Sequence, residues 1–334
     1  MATQTNAPLP EGLEIAGYRI VKKIAAGGFS IVYLATDIDR SVYAIKEYLP
    51  SALVQRSAGE LVPSIAAENL TTYRVGLKCF FEEGRALARI AHPHVVSVVN
   101  FFRAHDTVYM VMQYAEGHSL QETILRHRDQ KREPLVSERF IRNVFGQVMD
   151  GLREVHTHKL LHLDLKPANI YLRSDGSAML LDFGAARQIL NNDFPRIHPM
   201  YTPGFAAPEL YEKGGNLGPW TDIYGLGAAM YSCMAGVPPQ AADQRSTDDQ
   251  MDIRLKSLRR QYSPQLLAVI RWCLLLDPAA RPQSVFALQK ALRDAVPPNS
   301  GPGVRRWLRR LYARLSKFAR MPIHFGGPTK KVRP

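Results

Sequence analysis

The chain has 334 residues and a formal net charge of +13, but residues 304–334 hold ten Lys or Arg and no Asp or Glu, which leaves +3 on residues 1–303. A nearly neutral body with 46% hydrophobic residues points to a packed core, one large two-lobed domain or two ordinary ones, and no nucleic-acid partner. Three scattered cysteines and no apolar run near the roughly 18 residues of a membrane span argue against a disulfide framework, a zinc site or a spanning helix, and predict a cytoplasmic location.

Residues 1–17 are polar and Pro-containing and are expected to be disordered. A strand is predicted from Tyr18, and Ile24-Ala-Ala-Gly-Gly-Phe-Ser-Ile-Val-Tyr33 turns back into a second. Val42-Tyr-Ala-Ile-Lys46 alternates as a strand with a lysine at its end. Leu49 to Arg74, with two prolines and polar stretches, reads as an insertion before a helix. That helix is expected within Phe81–Pro93, where Leu87 and Ile90 follow Glu83 on one face and Glu82 points outward. Val95–Phe102 and Thr107–Tyr114 read as two more strands. Ile141, Val144, Phe145, Val148, Met149, Leu152 and Val155 form a helical stripe, which is core.

The most informative stretch is Leu161 to Gly184. It reads Leu-His-Leu-Asp-Leu-Lys-Pro-Ala-Asn, then a predicted hairpin of Ile170–Leu172 with Ala178–Leu181, then Asp-Phe-Gly. Pro167 keeps the first loop from becoming a helix, and the hairpin returns Asp182 toward Asp164. Such a set suits phosphoryl transfer: one Asp for the acceptor hydroxyl, an Asn and a second Asp for magnesium.

These motifs resemble those of eukaryotic-like (Hanks-type) Ser/Thr protein kinases, bacterial members among them. His162-Leu163-Asp164 stands for His-Arg-Asp, and Asp182-Phe183-Gly184 and Ala207-Pro208-Glu209 match in full. The resemblance covers about residues 18–295. It implies an α+β, bilobal protein-kinase-like fold, with a small sheet-plus-helix lobe over about 18–115 and a mainly helical lobe over about 116–295. It also implies ATP with Mg2+, or Mn2+ in its place, and protein Ser/Thr substrates, in bacterial signalling.

On that resemblance Ile24, Gly27, Gly28, Val32, Ala44, Met112 and Tyr171 would surround the nucleotide. The backbone of Gln113 and Ala115 would read adenine, and Lys46, paired with Glu83, would hold the α- and β-phosphates. Asp164 would be the base and Lys166 its Ser/Thr-type companion, with Asn169 and Asp182 as metal ligands. Thr202 stands at the characteristic threonine of the activation segment. Arg281 would pair with Glu209, and Asp222 opens the central helix of the large lobe. The chain departs from the pattern at Ala25 and Ser30, which replace glycines, and at Leu163, which replaces arginine. Those departures support the alternative of a pseudokinase scaffold. A small-molecule phosphotransferase of related fold is the other alternative, opposed by Ala207-Pro208-Glu209 and Asp222.

Residues 296–303 have linker composition. Beyond them Trp307, Leu308, Leu311, Tyr312, Leu315 and Phe318 recur at helical spacing among basic residues, a basic amphipathic helix over about 304–321. A protein partner or the kinase body, an anionic membrane surface at its inner face, and a solvated tail all remain open as its role.

Overall fold

The computed structural model describes residues 4–131, 134–183, 201–212 and 214–294. The expected linker and basic helix, and residues 184–200 of the expected activation segment, lie outside the described residues.

The first lobe is a curled sheet carrying one helix. Its strands are β1 (Glu14–Ile15), β2 (Tyr18–Gly27), β3 (Ser30–Thr36) and β4 (Val42–Tyr48). After them come the small pair β5 (Val54–Gln55) and β6 (Ser64–Ile65), the helix α1 (Leu70–Leu87), β7 (Val98–Ala104) and β8 (Thr107–Gln113). The main sheet runs β1-β2-β3-β4-β8-β7, antiparallel throughout.

Its register decides what faces the cleft. Val32 pairs with Lys46, Lys46 with Met110, and Ala44 with Met112, so these side chains share one face. Ile31, Glu47 and Tyr109 lie on the other. A slip by one residue would turn Lys46 out of the cleft and Glu47 into it.

The helix α1 starts at Leu70, so the expected insertion ends earlier than Arg74. Tyr73, Gly76, Phe80, Glu83, Gly84 and Leu87 recur at spacings of three and four and form its buried face. Gly84 sets how close α1 sits to the sheet: a Cβ there would lie 2.0 Å from the Phe101 ring.

Residues 4–17, expected to be disordered, are folded onto the sheet. Leu9 and Asn6 are buried, Ala7 N–H donates to Arg56 O at 3.0 Å, and β1 pairs with β2. Local composition could not show this, because the ordering partner is Arg56, in the insertion.

The second lobe begins with β9 (Gly117–Ser119), α2 (Leu120–Asp129) and α3 (Glu138–Thr157). Ser137 caps α3 by accepting from Phe140 N–H at 3.2 Å, and the expected apolar stripe is its buried face. A hairpin follows, β10 (Ile170–Arg173) with β11 (Ala178–Leu180), in register Ile170 to Leu180. The remaining helices are α4 (Pro219–Ala235), α5 (Ala242–Arg245), α6 (Met251–Ser257), α7 (Pro264–Cys273) and α8 (Val285–Asp294). From Thr221 to Met234 every residue of α4 is buried, so this helix is the axis on which the lobe packs.

Candidate active site

The turn of residues 162–169 and the strand end at 181–183 meet below the sheet. Pro167–Asn169 form a single 3₁₀ turn, which places Asn169 back over Asp164. The Asn169 amide donates to Asp164 O at 2.8 Å and to its Oδ2 at 3.0 Å. Lys166 Nζ donates to Asp164 Oδ2 at 2.6 Å and to Thr202 Oγ1 at 2.9 Å. Thr202 Oγ1 in turn donates to Asp164 Oδ1 at 3.3 Å. Asp164 is thus a fixed carboxylate in a polar cluster drawn from two segments, its own turn and the stretch that carries Thr202.

Asp222, buried at the start of α4, holds this turn from beneath. It accepts from His162 N–H at 2.9 Å, Leu163 N–H at 2.7 Å and His156 Nε2 at 2.8 Å. Burial works to raise its carboxyl, and the His156 hydrogen bond with the charges and donors around it outweighs burial and holds it below the usual range. Burial lowers His162, whose Nε2 lies 3.0 Å from Leu181 O and whose ring sits 4.4 Å from that of Phe183. Leu163 and Asp182 both adopt positive φ, at 62° and 48°. Side chains rarely take that region, and it tends to persist where the surroundings over-determine it. Here the two hydrogen bonds to Asp222 do so for the turn at Leu163.

Across the cleft, Lys46 Nζ lies 2.5 Å from Asp182 Oδ1. Burial works against the charge on Lys46, and Asp182, with Glu83 beyond it, outweighs burial and raises the ammonium. Desolvation likewise works to raise Asp182, and Lys46 overrides it and holds that carboxyl low. The expected ion pair of Lys46 with Glu83 is not formed among the described residues. Glu83 is buried on α1 and burial pushes its carboxyl up to about 8, although Lys46 pulls it down. A carboxyl in that state is largely protonated near neutrality, and Asp182 takes the ammonium instead.

At the hinge, Gln113 N–H donates to Ser97 O at 2.9 Å and the Tyr171 hydroxyl donates to Ala115 O at 3.3 Å. Ala115 N–H has no backbone partner among the described residues. Met112 is half-buried beside it, on the same face as Ala44 and Val32. Ile24 and Gly27 are exposed at the cleft edge and Gly28 is half-buried.

Arg281 grips Glu209 through two parallel bonds, Nη1 to Oε1 at 2.8 Å and Nη2 to Oε2 at 3.0 Å, and both side chains are buried.

The family described as protein kinase domain matches residues 18–293. The chain belongs to it. Among curated relatives, the kinase is 30% identical over 300 residues to the serine/threonine-protein kinase PknK of Mycobacterium tuberculosis, covering 86% of this chain and 24% of that protein. It is 31% identical over 294 residues to a mouse protein named inactive serine/threonine-protein kinase PLK5, covering 85% of this chain and 45% of the relative. A solved structure titled PpkA-294 apo form shares 32% identity at a TM-score of 0.73, covering 85% of this chain and 99% of that one. The kinase spans less than half the length of these two curated relatives. These matches and the bilobal fold place it among Hanks-type Ser/Thr kinases.

One set of residues at the back of the site was not foreseen. Glu47 is fully buried next to Lys46 and receives both Arg56 Nη atoms, at 2.6 and 2.7 Å, and the hydroxyls of Tyr33 and Tyr109, each at 2.7 Å. Strand alternation puts Glu47, Tyr33 and Tyr109 on one face, a legible signal of a buried acid. Nothing local marks Arg56 as its partner.

Proposed function

We propose that this kinase transfers the γ-phosphate of Mg-ATP to a Ser or Thr hydroxyl of a protein. The observation that carries the reading is the Asp164 cluster. A carboxylate oriented by Lys166, Asn169 and Thr202 stands ready to accept a hydroxyl proton, with Lys166 beside it as a cation for a phosphoryl oxygen.

Asn169 and Asp182 fit a hard cation. The Asn169 amide nitrogen is engaged by Asp164, which leaves its amide oxygen, and Asp182 offers a carboxylate. Among the described residues no group of three or more His, Cys, Asp or Glu forms a ready metal cage. That suits magnesium, which usually takes one or two carboxylates and completes its shell with water and substrate phosphates. When bound, the ion neutralises charge on the phosphates. Lys46 would hold the same phosphates from the sheet side, and Ala115 N–H would fix the base. The partner is a protein substrate. No helix among the described residues is long and apolar enough to cross a membrane.

A second reading, a catalytically silent scaffold, is favoured by Ala25, Ser30 and the mouse relative's name. Labelled ATP, magnesium and a mixed protein substrate, followed by mapping of the phosphorylated residues, separates the two. Label on Ser and Thr supports the kinase reading. Nucleotide binding without any transfer supports the scaffold.

A further inference from the structure

The turn Gly27-Gly28-Phe29 between β2 and β3 is tied down from behind, carbonyl by carbonyl. Gln4 Nε2 donates to Gly27 O at 3.0 Å. Ser51 N–H and Oγ donate to Gly28 O at 2.9 and 3.2 Å. Leu49 N–H donates to Phe29 O at 2.8 Å. Gln4 also donates to Leu49 O at 2.8 Å, which ties the N-terminal segment to the start of the insertion.

This assembly is anchored in the core of the lobe. Arg56 N–H donates to Asn6 Oδ1 at 2.7 Å, and Arg56 Nε to Ala7 O at 2.9 Å. Leu9 N–H donates to the Tyr33 hydroxyl at 3.0 Å. Arg56 ends on Glu47, whose neighbour in β4 is Lys46. Residues 4–9 thus connect the turn to the strand that carries the cleft lysine.

In a planar trans peptide the C=O and the following N–H point in opposite directions. Fixing Gly27 O therefore fixes Gly28 N–H, and fixing Gly28 O and Phe29 O fixes the N–H groups of Phe29 and Ser30. Ser30 N–H is taken by its ladder partner Gly27; with the carbonyls held at the back, the N–H groups of Gly28 and Phe29 are turned away from the brace. We infer that residues 4–9 and 49–56 are a brace that presets these N–H groups for nucleotide phosphates, with Gln4 as its positioning residue. The brace substitutes a fixed turn for the more freely moving one that glycines at 25 and 30 would give. The inference rests on the nucleotide reading of the cleft.

The test uses the full chain and the variant Gln4→Met, which keeps length and removes the donor without adding charge. Affinities for Mg-ATP and for adenosine are measured, with thermal unfolding alongside. The brace predicts a roughly 5- to 10-fold weaker Mg-ATP affinity, the size of one to two net hydrogen bonds. Adenosine affinity should stay as in wild type, because adenosine carries no phosphate, while the unfolding temperature should fall slightly because both Gln4 hydrogen bonds are lost. Glu11→Ala, an exposed change on the same segment, should alter neither affinity. Gln4→Met with wild-type ATP affinity, or with ATP and adenosine weakened alike, overturns the brace and leaves the nucleotide reading standing. A wild-type chain that binds no ATP overturns both.

Discussion

Lys46 is held by Asp182 at 2.5 Å, while Glu83, buried on α1, stays outside that ion pair. One carboxylate is therefore tied to the ammonium and the other is left desolvated, and the difference has a pH signature.

Glu83 has an ordinary value of 4.5 when exposed and about 8 in the fold. Between those values the folded chain binds a proton that the unfolded chain has released. Stability from this group is present below the lower value and is lost as pH rises toward the upper one. Glu83→Gln removes the dependence. Free energies of unfolding of wild type and variant, from urea titrations, should diverge from pH 5 to pH 8, in favour of the variant, by on the order of a few kcal/mol. A gap that does not change with pH would contradict the burial account.

The Arg281–Glu209 fork is structural and makes no hydrogen bond to the Asp164 cluster among the described residues. Truncating either side chain leaves a buried charge without its partner, at about 3–5 kcal/mol. Glu209→Leu combined with Arg281→Met should cost much less than the two singles summed. Urea unfolding of the three variants checks this, and singles within about 0.5 kcal/mol of wild type would show that the pair is not needed.

Leu163 occupies the place where a phosphate-receiving arginine would stand, and its side chain is buried. Residues 185–200 contain no Ser, Thr or Tyr. Activity should therefore not depend on phosphorylation of that segment. Phosphatase treatment of the purified chain should leave its rate unchanged. A large fall, restored by phosphate on Tyr201 or Thr202, would contradict it.

The bilobal fold and the ordering of Asp164, Asn169 and Asp182 were legible because each residue sits in a short motif with its own turn chemistry. Pro167 stops the helix, and Ser174-Asp-Gly176 closes the hairpin that brings Asp182 back. What could not be read depends on partners far away in the chain. Residues 4–17 look polar, yet Arg56 and Tyr33 order them. The start of α1 at Leu70 is set by Tyr73 finding a buried place beside Tyr48, their rings 5.5 Å apart. Which carboxylate takes Lys46 is decided by burial across the cleft, and spacing along the chain carries no trace of that.

The central claim is that Asp164 acts on the acceptor hydroxyl while the nucleotide is held by other groups. Asp164→Asn, assayed for phosphate transfer and for Mg-ATP affinity in the same preparation, tests it most directly. The account predicts transfer lowered roughly 10²-fold or more, with affinity close to wild type. Transfer at the wild-type rate by Asp164→Asn would contradict it.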